Sequence, residues 1–267
     1  MRIARFAAGD EVSYGLVGTA RAGSAAAGGE VIAELAGHPF GGGDGIRLTG
    51  TTYLIDEVRL LAPVLPSKVI GFVPAGPGPG GRADDGVDEG SVMYLKPSTA
   101  VCGPSDAIRY PAQANRLGAD GKLAVIIGRL CRQVPPDQAA AVIFGYACAL
   151  DVTAADVAAR DGQWARAKGF DTFCPLGPWI ETDPVAGDVA LVTSVNGQVR
   201  RRASIPRAVQ GVAALIADAS GVMTLLPGDV LLAGGADGAA GELACGDEVS
   251  VSIDGVGTLT NKVEKGD

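Results

Sequence analysis

Residues 161–180 read DGQWARAKGFDTFCPLGPWI, and this stretch contains both tryptophans of the chain and two of its six phenylalanines. Pro175 and Pro178, together with two glycines, exclude a long regular helix or a central strand here. We therefore predict a loop of defined shape, the kind of segment in which binding and catalytic residues concentrate. Alternatively, these aromatic side chains could only cover the hydrophobic core. Lys168 lies between small and aromatic residues, and this position favours a binding or catalytic site.

Composition and charge are those of a single globular unit. The 267 residues can bury a substantial core, and 40 glycines with 47% hydrophobic residues suit short strands joined by tight turns. The formal charge of −8 and the pI near 4.7 argue against binding to nucleic acid or an anionic membrane. No apolar run approaches the ~20 residues that span a bilayer, and Asp10 and Glu11 interrupt any signal peptide. We therefore expect a cytoplasmic protein.

The cysteines are scattered and form no Cys-x-x-Cys pair, at positions Cys102, Cys131, Cys148, Cys174 and Cys245. An odd number of separated cysteines predicts reduced thiols in the core and no disulfide framework. Cys174 lies in the aromatic loop, but it can form a catalytic pair only if the fold brings the single histidine, His38, to it.

Alternating apolar and polar residues over positions 1–60 predict a small antiparallel β unit. Pro63 and Pro66 mark the passage from an N-terminal β domain (1–62) to a larger domain (63–267). The residue pattern predicts further strands at 67–73, 91–95, 122–128, 188–195, 229–233 and 247–253. It predicts helices at 135–142 and at 204–221, the second with Ser204 as its cap. Residues 74–90, PAGPGPGGRADDGVDEG, are predicted to form a flexible loop with a solvated acidic run.

Segments that follow one another in a fixed order resemble the fumarylacetoacetate hydrolase (FAH) family. Besides the aromatic loop they are LLAPVLPSKVI (60–70), VMYLKPSTAVCGPSDAI (92–108), LAVIIGR (123–129), VIFGYACALDVTAAD (142–156), MTLLPGDVLLAG (223–234) and GDEVSVSIDGVGTLTNKV (246–263). The resemblance implies a mixed, β-rich α+β fold, with an FAH-type β-sandwich or β-roll catalytic domain over 63–267. It also implies a small-molecule substrate and a homodimer.

The resemblance implies a metal site whose ligands are altered here. Family members that bind magnesium use a Glu-x-Glu pair before the LAVIIGR-like strand and an Asp after the FGY segment. Asp151 keeps the third position and Asp120 matches the first, but Lys122 stands at the second. An ammonium group cannot ligate a cation, and at ~4 Å it would repel one by several kcal/mol. We therefore expect no metal cofactor, and magnesium at Asp120 and Asp151 only if the altered set still binds it.

Other family positions also differ in this chain. The His of an Asn-Tyr-x-x-His motif is missing, because FVPAGPGPGG (72–81) has no titratable group before Arg82. Ala233-Gly234-Gly235-Ala236 replaces a Thr-Gly-Thr-Pro turn, and Ala155 replaces an arginine. The family positions that survive are Asp151, Gln163, Trp164, Lys168 and Asp171.

These comparisons assign catalytic roles to Lys168, Asp151 and Lys122. The substrate-binding set is Asp120, Gln163, Trp164, Phe170, Asp171 and Lys96. Purely structural roles stay open for three of these residues. Asp151 could serve solely to neutralise a lysine, Lys122 could fill the space of the cation, and Lys96 could be a scaffold residue. A lysine between aromatic side chains is also expected to have a lowered pKa, which suits acid–base work.

Three functions are compatible with this pattern. The first is a repurposed, metal-independent enzyme that isomerises, cyclises or cleaves an enolisable keto acid, with Lys168 as acid or enolate stabiliser and Asp151 as base or orienter. The second is a magnesium-dependent acylpyruvate hydrolase or oxaloacetate decarboxylase-like enzyme, which the Lys122 substitution disfavours. The third is a noncatalytic binding or scaffolding protein.

Overall fold

The computed structural model describes residues 1–19, 29–40, 46–74, 91–183, 188–205, 208–234 and 241–266. Most of the predicted flexible loop, including Arg82 and the acidic run, lies outside these residues, as do Gly235 and Ala236. The β-rich fold predicted from the sequence is confirmed, because strands dominate the described part of the chain.

The described N-terminal residues form five strands and a 3-10 helix (Ile55–Glu57): β1 Arg2–Ala8, β2 Glu11–Thr19, β3 Glu30–Leu35, β4 Leu48–Leu54 and β5 Arg59–Leu61. The strands that follow are β6 Lys68–Pro74, β7 Ser91–Pro97, β8 Val101–Cys102, β9 Ile108–Tyr110, β10 Leu117–Ile127, β11 Ile143–Ala154, β12 Cys174–Glu181, β13 Val189–Val195, β14 Gln198–Ile205, β15 Val230–Ala233, β16 Glu242–Leu243, β17 Glu248–Ile253 and β18 Gly257–Lys265. The helices are α1 Ala155–Asp161, α2 Ala165–Gly169 and α3 Ala208–Val222, with 3-10 helices at Ser98–Ala100 and Pro136–Val142.

The described strands form two sheets. The larger has the order β4-β3-β2-β1-β12-β11-β10-β15-β6-β7, with β5, β8 and β16 paired to its members, and the smaller has the order β14-β13-β17-β18-β9. Strands β1 to β4 pair antiparallel in chain order, as the alternation of their residues predicted. Because β1 also pairs with β12, the N-terminal strands continue the larger sheet.

The two sheets pack together at β10, which is buried along its entire length. The sheets approach closely at Gly121, because a Cβ atom at this position would lie 2.6 Å from Oγ1 of Thr193 in β13. Its own amide donates a hydrogen bond of 3.2 Å to that hydroxyl. The core between the sheets includes Leu123, Leu191 and Val251, each 0% exposed. The centre of β10 is therefore held rigidly.

Two local predictions differ from the structure in the helices. The segment predicted as a helix at 135–142 is a 3-10 helix. The helix predicted to begin at Ser204 begins at Ala208, because Ser204 still belongs to β14 and pairs with Ala190. Pairing between strands overrides the local preference of serine for a helix cap.

The aromatic loop was predicted to exclude a central strand, and this was wrong for its second half. Strand β12 lies between β1 and β11 and contains both Pro175 and Pro178. The strand tolerates them because neither proline is among its residue pairs with β1 (two pairs) or β11 (three pairs, with a register shift between Tyr146 and Cys148). Pro175 lies only in the short ladder with β8, where it pairs with Cys102. Proline is excluded only where a ladder needs its missing N–H.

Among the described residues, no helix is both long and apolar enough to cross a membrane.

Candidate functional site

The larger sheet curls so that its edge strand β7 meets β11, although four places separate them in the strand order. Tyr94 and Lys96 of β7 therefore both reach Asp151 of β11. The tyrosine ring lies directly over Gly71 of β6, where a Cβ atom would be 2.0 Å from Cζ of Tyr94. Glycine is required at position 71 because any side chain would displace this ring.

Asp151 is the centre of a buried polar cluster and is 3% exposed. Its Oδ2 accepts hydrogen bonds of 2.5 Å from the Tyr94 hydroxyl and 2.5 Å from Nζ of Lys168. Nζ of Lys96 lies 2.9 Å from Oδ1, yet Oδ1 accepts no hydrogen bond. This contact is therefore an ion pair without hydrogen-bond geometry. The carboxylate is thus fixed on one oxygen and keeps unused hydrogen-bonding capacity on the other.

Lys96 points its protons at the backbone. It is 0% exposed, and its Nζ donates to the carbonyl oxygens of Val152 (2.8 Å), Lys168 (3.1 Å) and Phe173 (2.8 Å). These carbonyls belong to β11, α2 and the residue before β12. Lys96 therefore holds together the three segments that carry the site.

Lys168 reaches the cluster from the short helix α2. Its Nζ also donates to Oγ1 of Thr153 at 2.9 Å and lies 4.3 Å from the Tyr94 ring centre and 5.2 Å from that of Trp164. Burial lowers the pKa of Lys168 to about 8, and the neighbouring Asp151 carboxylate limits this shift. The lysine is mostly protonated at neutral pH and can still release its proton.

Asp120 and Lys122 face the cluster from β10. Asp120 lies directly opposite Asp151 in the antiparallel ladder, which places the two carboxylates side by side. Nζ of Lys122 lies 3.5 Å from Oδ2 of Asp120 and donates a hydrogen bond of 2.7 Å to the Gly234 carbonyl. Nη1 of Arg201, from β14 of the smaller sheet, lies 3.2 Å from Oδ1 of Asp120.

The two carboxylates, which we call the carboxylate pair, have opposite pKa shifts. Burial favours the protonated form of Asp151, but the ammonium groups of Lys168, Lys96 and Lys122 together hold its pKa well below the usual range. Burial raises the pKa of Asp120, and Lys122 and Arg201 only partly oppose this. Two carboxyl groups whose pKa values diverge in this way commonly have different roles, one as a permanent anion and the other as a group that exchanges protons.

Among the described residues, four cations face the carboxylate pair, and we call them the cation group: Lys96, Lys122, Lys168 and Arg201. With both carboxylates ionised, these six groups together have a net charge of +2 in a largely buried setting. Such a site favours anionic ligands and can stabilise an oxyanion that develops during a reaction.

Three sequence-predicted residues lie at the margin of this cluster. Gln163 is exposed and accepts a hydrogen bond of 2.6 Å from the amide of Ala165, and Asp171 is also exposed. Phe170 packs against Phe173 with ring centres 5.1 Å apart. The structure thus brings together Asp120, Lys122, Asp151, Lys168 and Lys96, with Trp164 beside Lys168.

Cys174 and His38 lie in different surroundings. Cys174 is 0% exposed, and burial raises the pKa of its thiol to about 12. His38 is exposed and contacts the rings of Tyr14, in β2, and of Phe40. The geometry offers no Cys–His pair.

The sequence analysis missed Tyr94 and Arg201. Tyr94 could have been found, because it lies two residues before Lys96 and strand periodicity places both side chains on one face. No local pattern connects Arg201 with Asp120, which lies 81 residues away in the other sheet.

The side chains that are present do not fit a divalent metal. Each oxygen of the carboxylate pair already lies within 3.5 Å of a nitrogen of the cation group. Within the described ranges, no three His, Cys, Asp or Glu side chains are grouped to hold a metal ion. A cation would have to displace Lys122 and overcome its charge.

Comparisons with known proteins agree with this architecture. The family model for the fumarylacetoacetate (FAA) hydrolase C-terminal domain matches residues 81–264, and the Rv2993c-like N-terminal model matches residues 1–63. The structure of 5-carboxymethyl-2-hydroxymuconate delta-isomerase from Mycobacterium smegmatis is similar over 99% of this chain and 100% of its own, with a TM-score of 0.86 and 43% identity.

Two further relatives are informative about chemistry. Oxaloacetate tautomerase YcgM from Escherichia coli is 37% identical over 66% of this chain and 83% of its own length. Maleylpyruvate hydrolase from Sphingobium sp. SYK-6, solved with manganese(II) and pyruvate, has a TM-score of 0.75 and 28% identity over 100% of both chains. With the matched motifs, the curled sheet and the family model in agreement, this chain belongs to the fumarylacetoacetate hydrolase family.

Proposed function

We propose that the protein catalyses the metal-independent enolisation of an anionic 2-oxo acid, which leads to tautomerisation or isomerisation. The observation that carries the proposal is the buried Lys168 ammonium, held at 2.5 Å by an ionised Asp151 within an excess of positive charge. Relatives named as tautomerase, isomerase and hydrolase support an enzyme that acts on small molecules. Their substrates by name are oxo or hydroxy acids with more than one carboxylate, which suits the charge of this site.

The roles follow from the pKa shifts and contacts. Asp151 is the orienting anion, because its low pKa makes it a poor base and its hydrogen bonds fix Lys168. Asp120 is the better proton acceptor, since burial raises its pKa. Lys168 is the acid and the oxyanion partner.

The proton movements balance within the site. Asp120 takes the proton from C3, the C3–H electrons form the C2–C3 double bond, and the carbonyl π electrons move to the C2 oxygen. Lys168 stabilises this oxyanion or gives it a proton, which yields the enol. Solvent then reprotonates Lys168 and removes the proton from Asp120, so the protein is unchanged. Cyclisation would begin from the same enolate, whereas C–C cleavage would release an enolate as the leaving fragment, and Lys168 could stabilise its oxyanion in the same way.

The proposal can be tested with oxaloacetate in the presence of a chelator. Keto–enol interconversion is followed by the absorbance of the enol, and exchange of the C3 hydrogens in deuterium oxide by NMR. We expect the protein to accelerate both, and we expect Asp120→Asn to slow both. Rates equal to those of buffer with heat-denatured protein would contradict the proposal and favour a binding or scaffolding role.

A separate prediction concerns metal content. Because Lys122 replaces a carboxylate ligand, we expect elemental analysis of protein handled without chelator to find far less than one equivalent of magnesium or manganese per chain. Finding about one equivalent, lost on Asp151→Ala, would overturn metal independence and favour a magnesium-dependent hydrolase or decarboxylase. Lys122→Glu is the matched gain-of-binding variant, since it completes the family's ligand set and should raise manganese affinity.

A further inference from the structure

Tyr94 contacts both members of the buried ion pair between Asp151 and Lys168. Its hydroxyl donates a hydrogen bond of 2.5 Å to Oδ2 of Asp151, and the centre of its ring lies 4.3 Å from Nζ of Lys168. Nζ of Lys168 donates to the same Oδ2, also at 2.5 Å. The tyrosine therefore meets the anion with its hydroxyl and the cation with the face of its ring.

The surroundings of Tyr94 fix the position of its hydroxyl. The side chain is buried, and its ring fills the space over Gly71, where a Cβ atom would overlap it. The ring also packs beside Trp164, with ring centres 6.3 Å apart. Two residues further along β7, Lys96 is bonded to three backbone carbonyls, so the strand itself is held in place. The hydroxyl consequently stays at Oδ2 of Asp151.

The Tyr94 hydroxyl is a neutral donor that keeps its proton. Burial, and then the neighbouring Asp151 carboxylate, raise the pKa of Tyr94 well above its ordinary value. The hydroxyl can therefore stabilise the carboxylate by a charge-assisted hydrogen bond without adding a further positive charge.

Enolisation changes what Asp151 needs from its partners. In the proposed function, Lys168 directs its charge toward the C2 oxygen as the oxyanion develops, so Oδ2 of Asp151 loses part of its compensation at that moment. The Tyr94 hydroxyl remains on Oδ2, because the ring is held over Gly71. This hydrogen bond is then stronger in the transition state than in the resting site, which is the condition for raising the rate and not only the affinity.

We infer that Tyr94 is a positioning residue that holds Asp151 and leaves Lys168 available to the substrate oxygen. This inference rests on the proposed function and adds a residue to it. Among the described residues, Oδ2 accepts hydrogen bonds from Tyr94 and Lys168. Without the hydroxyl, Asp151 would hold the ammonium more tightly, and the oxyanion would receive less of its charge. Tyr94 thus acts through Asp151 and Lys168, without contact with the substrate.

Tyr94→Phe tests this role, because it removes the hydroxyl and keeps the ring. We expect kcat for oxaloacetate enolisation to fall about 10- to 100-fold, the effect of losing one hydrogen bond to a charged group. Binding of trimethylpyruvate, a 2-oxo acid with no hydrogen on C3, should change less than about threefold in calorimetric titration. Tyr146→Phe is the matched control, since Tyr146 is also buried but lies five residues before Asp151 on β11, opposite Val125. It should leave both quantities unchanged.

A double variant separates action through Lys168 from direct contact with the substrate. In the Lys168→Met background, Tyr94→Phe should lower kcat by less than about a further threefold, because the group through which the hydroxyl acts is gone. Full additivity of the two losses would overturn the inference. An unchanged kcat in Tyr94→Phe would also overturn it, and so would an equal loss of trimethylpyruvate affinity, which would place the hydroxyl on the ligand.

A measurement without turnover separates this inference from the proposed function. The ammonium NMR signal of Lys168, identified by its absence in Lys168→Met, should move in Tyr94→Phe and stay in place in Tyr146→Phe. The aromatic ring is kept in Tyr94→Phe, so the movement reports the loss of the hydroxyl. A moved signal in a protein that does not enolise oxaloacetate would refute the proposed function alone. An unmoved signal, with or without turnover, would refute the positioning role of Tyr94.

Discussion

Replacing Lys168 by methionine should lower the rate of oxaloacetate enolisation by about 100-fold or more. The change removes the ammonium that faces the developing oxyanion, and the loss of one such preorganised donor costs about 10²–10³ in kcat. Methionine keeps the length and the apolar packing of the side chain beside Tyr94 and Trp164. The centres of these rings lie 4.3 and 5.2 Å from Nζ of Lys168. Because the change also removes one partner of the buried ion pair with Asp151, circular dichroism should first establish that the variant is folded, and stopped-flow measurement of enol absorbance would then give kcat.

Lys122→Met is the matched control, since this lysine also belongs to the cation group but bonds to the Gly234 carbonyl and Asp120. We expect a smaller loss, because it is Lys168 and not Lys122 that donates a hydrogen bond to Oδ2 of Asp151. If Lys168→Met stays near full activity while Lys122→Met abolishes it, the catalytic role belongs to Lys122. Two folded variants with unchanged rates would place the chemistry elsewhere.

The pH profile gives an independent readout for Lys168. Burial lowers the pKa of Lys168 to about 8, so the ammonium form is present below that pH and is lost as pH rises through it. A rate that depends on the ammonium should therefore fall above about pH 8, and Lys168→Met should remove this falling limb. A limb that persists in the variant would belong to another group.

The central part of the site could be predicted from the sequence. Asp151 and Lys168 lie in neighbouring matched segments, and the structure joins them by one hydrogen bond. The resemblance also assigned Asp120 and Asp151 to one site, and the structure places them opposite each other in the ladder of β10 and β11. The resemblance to the family supplied these relations, because the family's motifs group residues that are far apart in the sequence.

The parts that could not be predicted depend on the curvature and packing of the sheets. Tyr94 reaches Asp151 only because the larger sheet curls and Gly71 leaves room for the ring. Arg201 reaches Asp120 only because the smaller sheet packs against β10 at Gly121. Sequence spacing does not record either relation.

Lys96→Met should destabilise the protein strongly, because Lys96 is fully buried and its protons are directed at three backbone carbonyls. The variant leaves those carbonyls without this donor and removes the nearest cation from Oδ1 of Asp151. Breaking a buried ion pair by removing one partner costs about 3–5 kcal/mol. We expect a decrease of this size in the free energy of unfolding, measured by urea titration with circular dichroism.

Lys262→Met provides the control on an exposed strand position, where a change within about 0.5 kcal/mol is expected. The two substitutions remove the same charge and introduce the same side chain, so their difference reports the buried contacts of Lys96. A loss below about 1 kcal/mol for Lys96→Met would mean that water or neighbouring donors satisfy the freed carbonyls. In that case Lys96 would act mainly on the ligand, as a member of the cation group can. Lys96→Met should then reduce the affinity for anions instead of the stability.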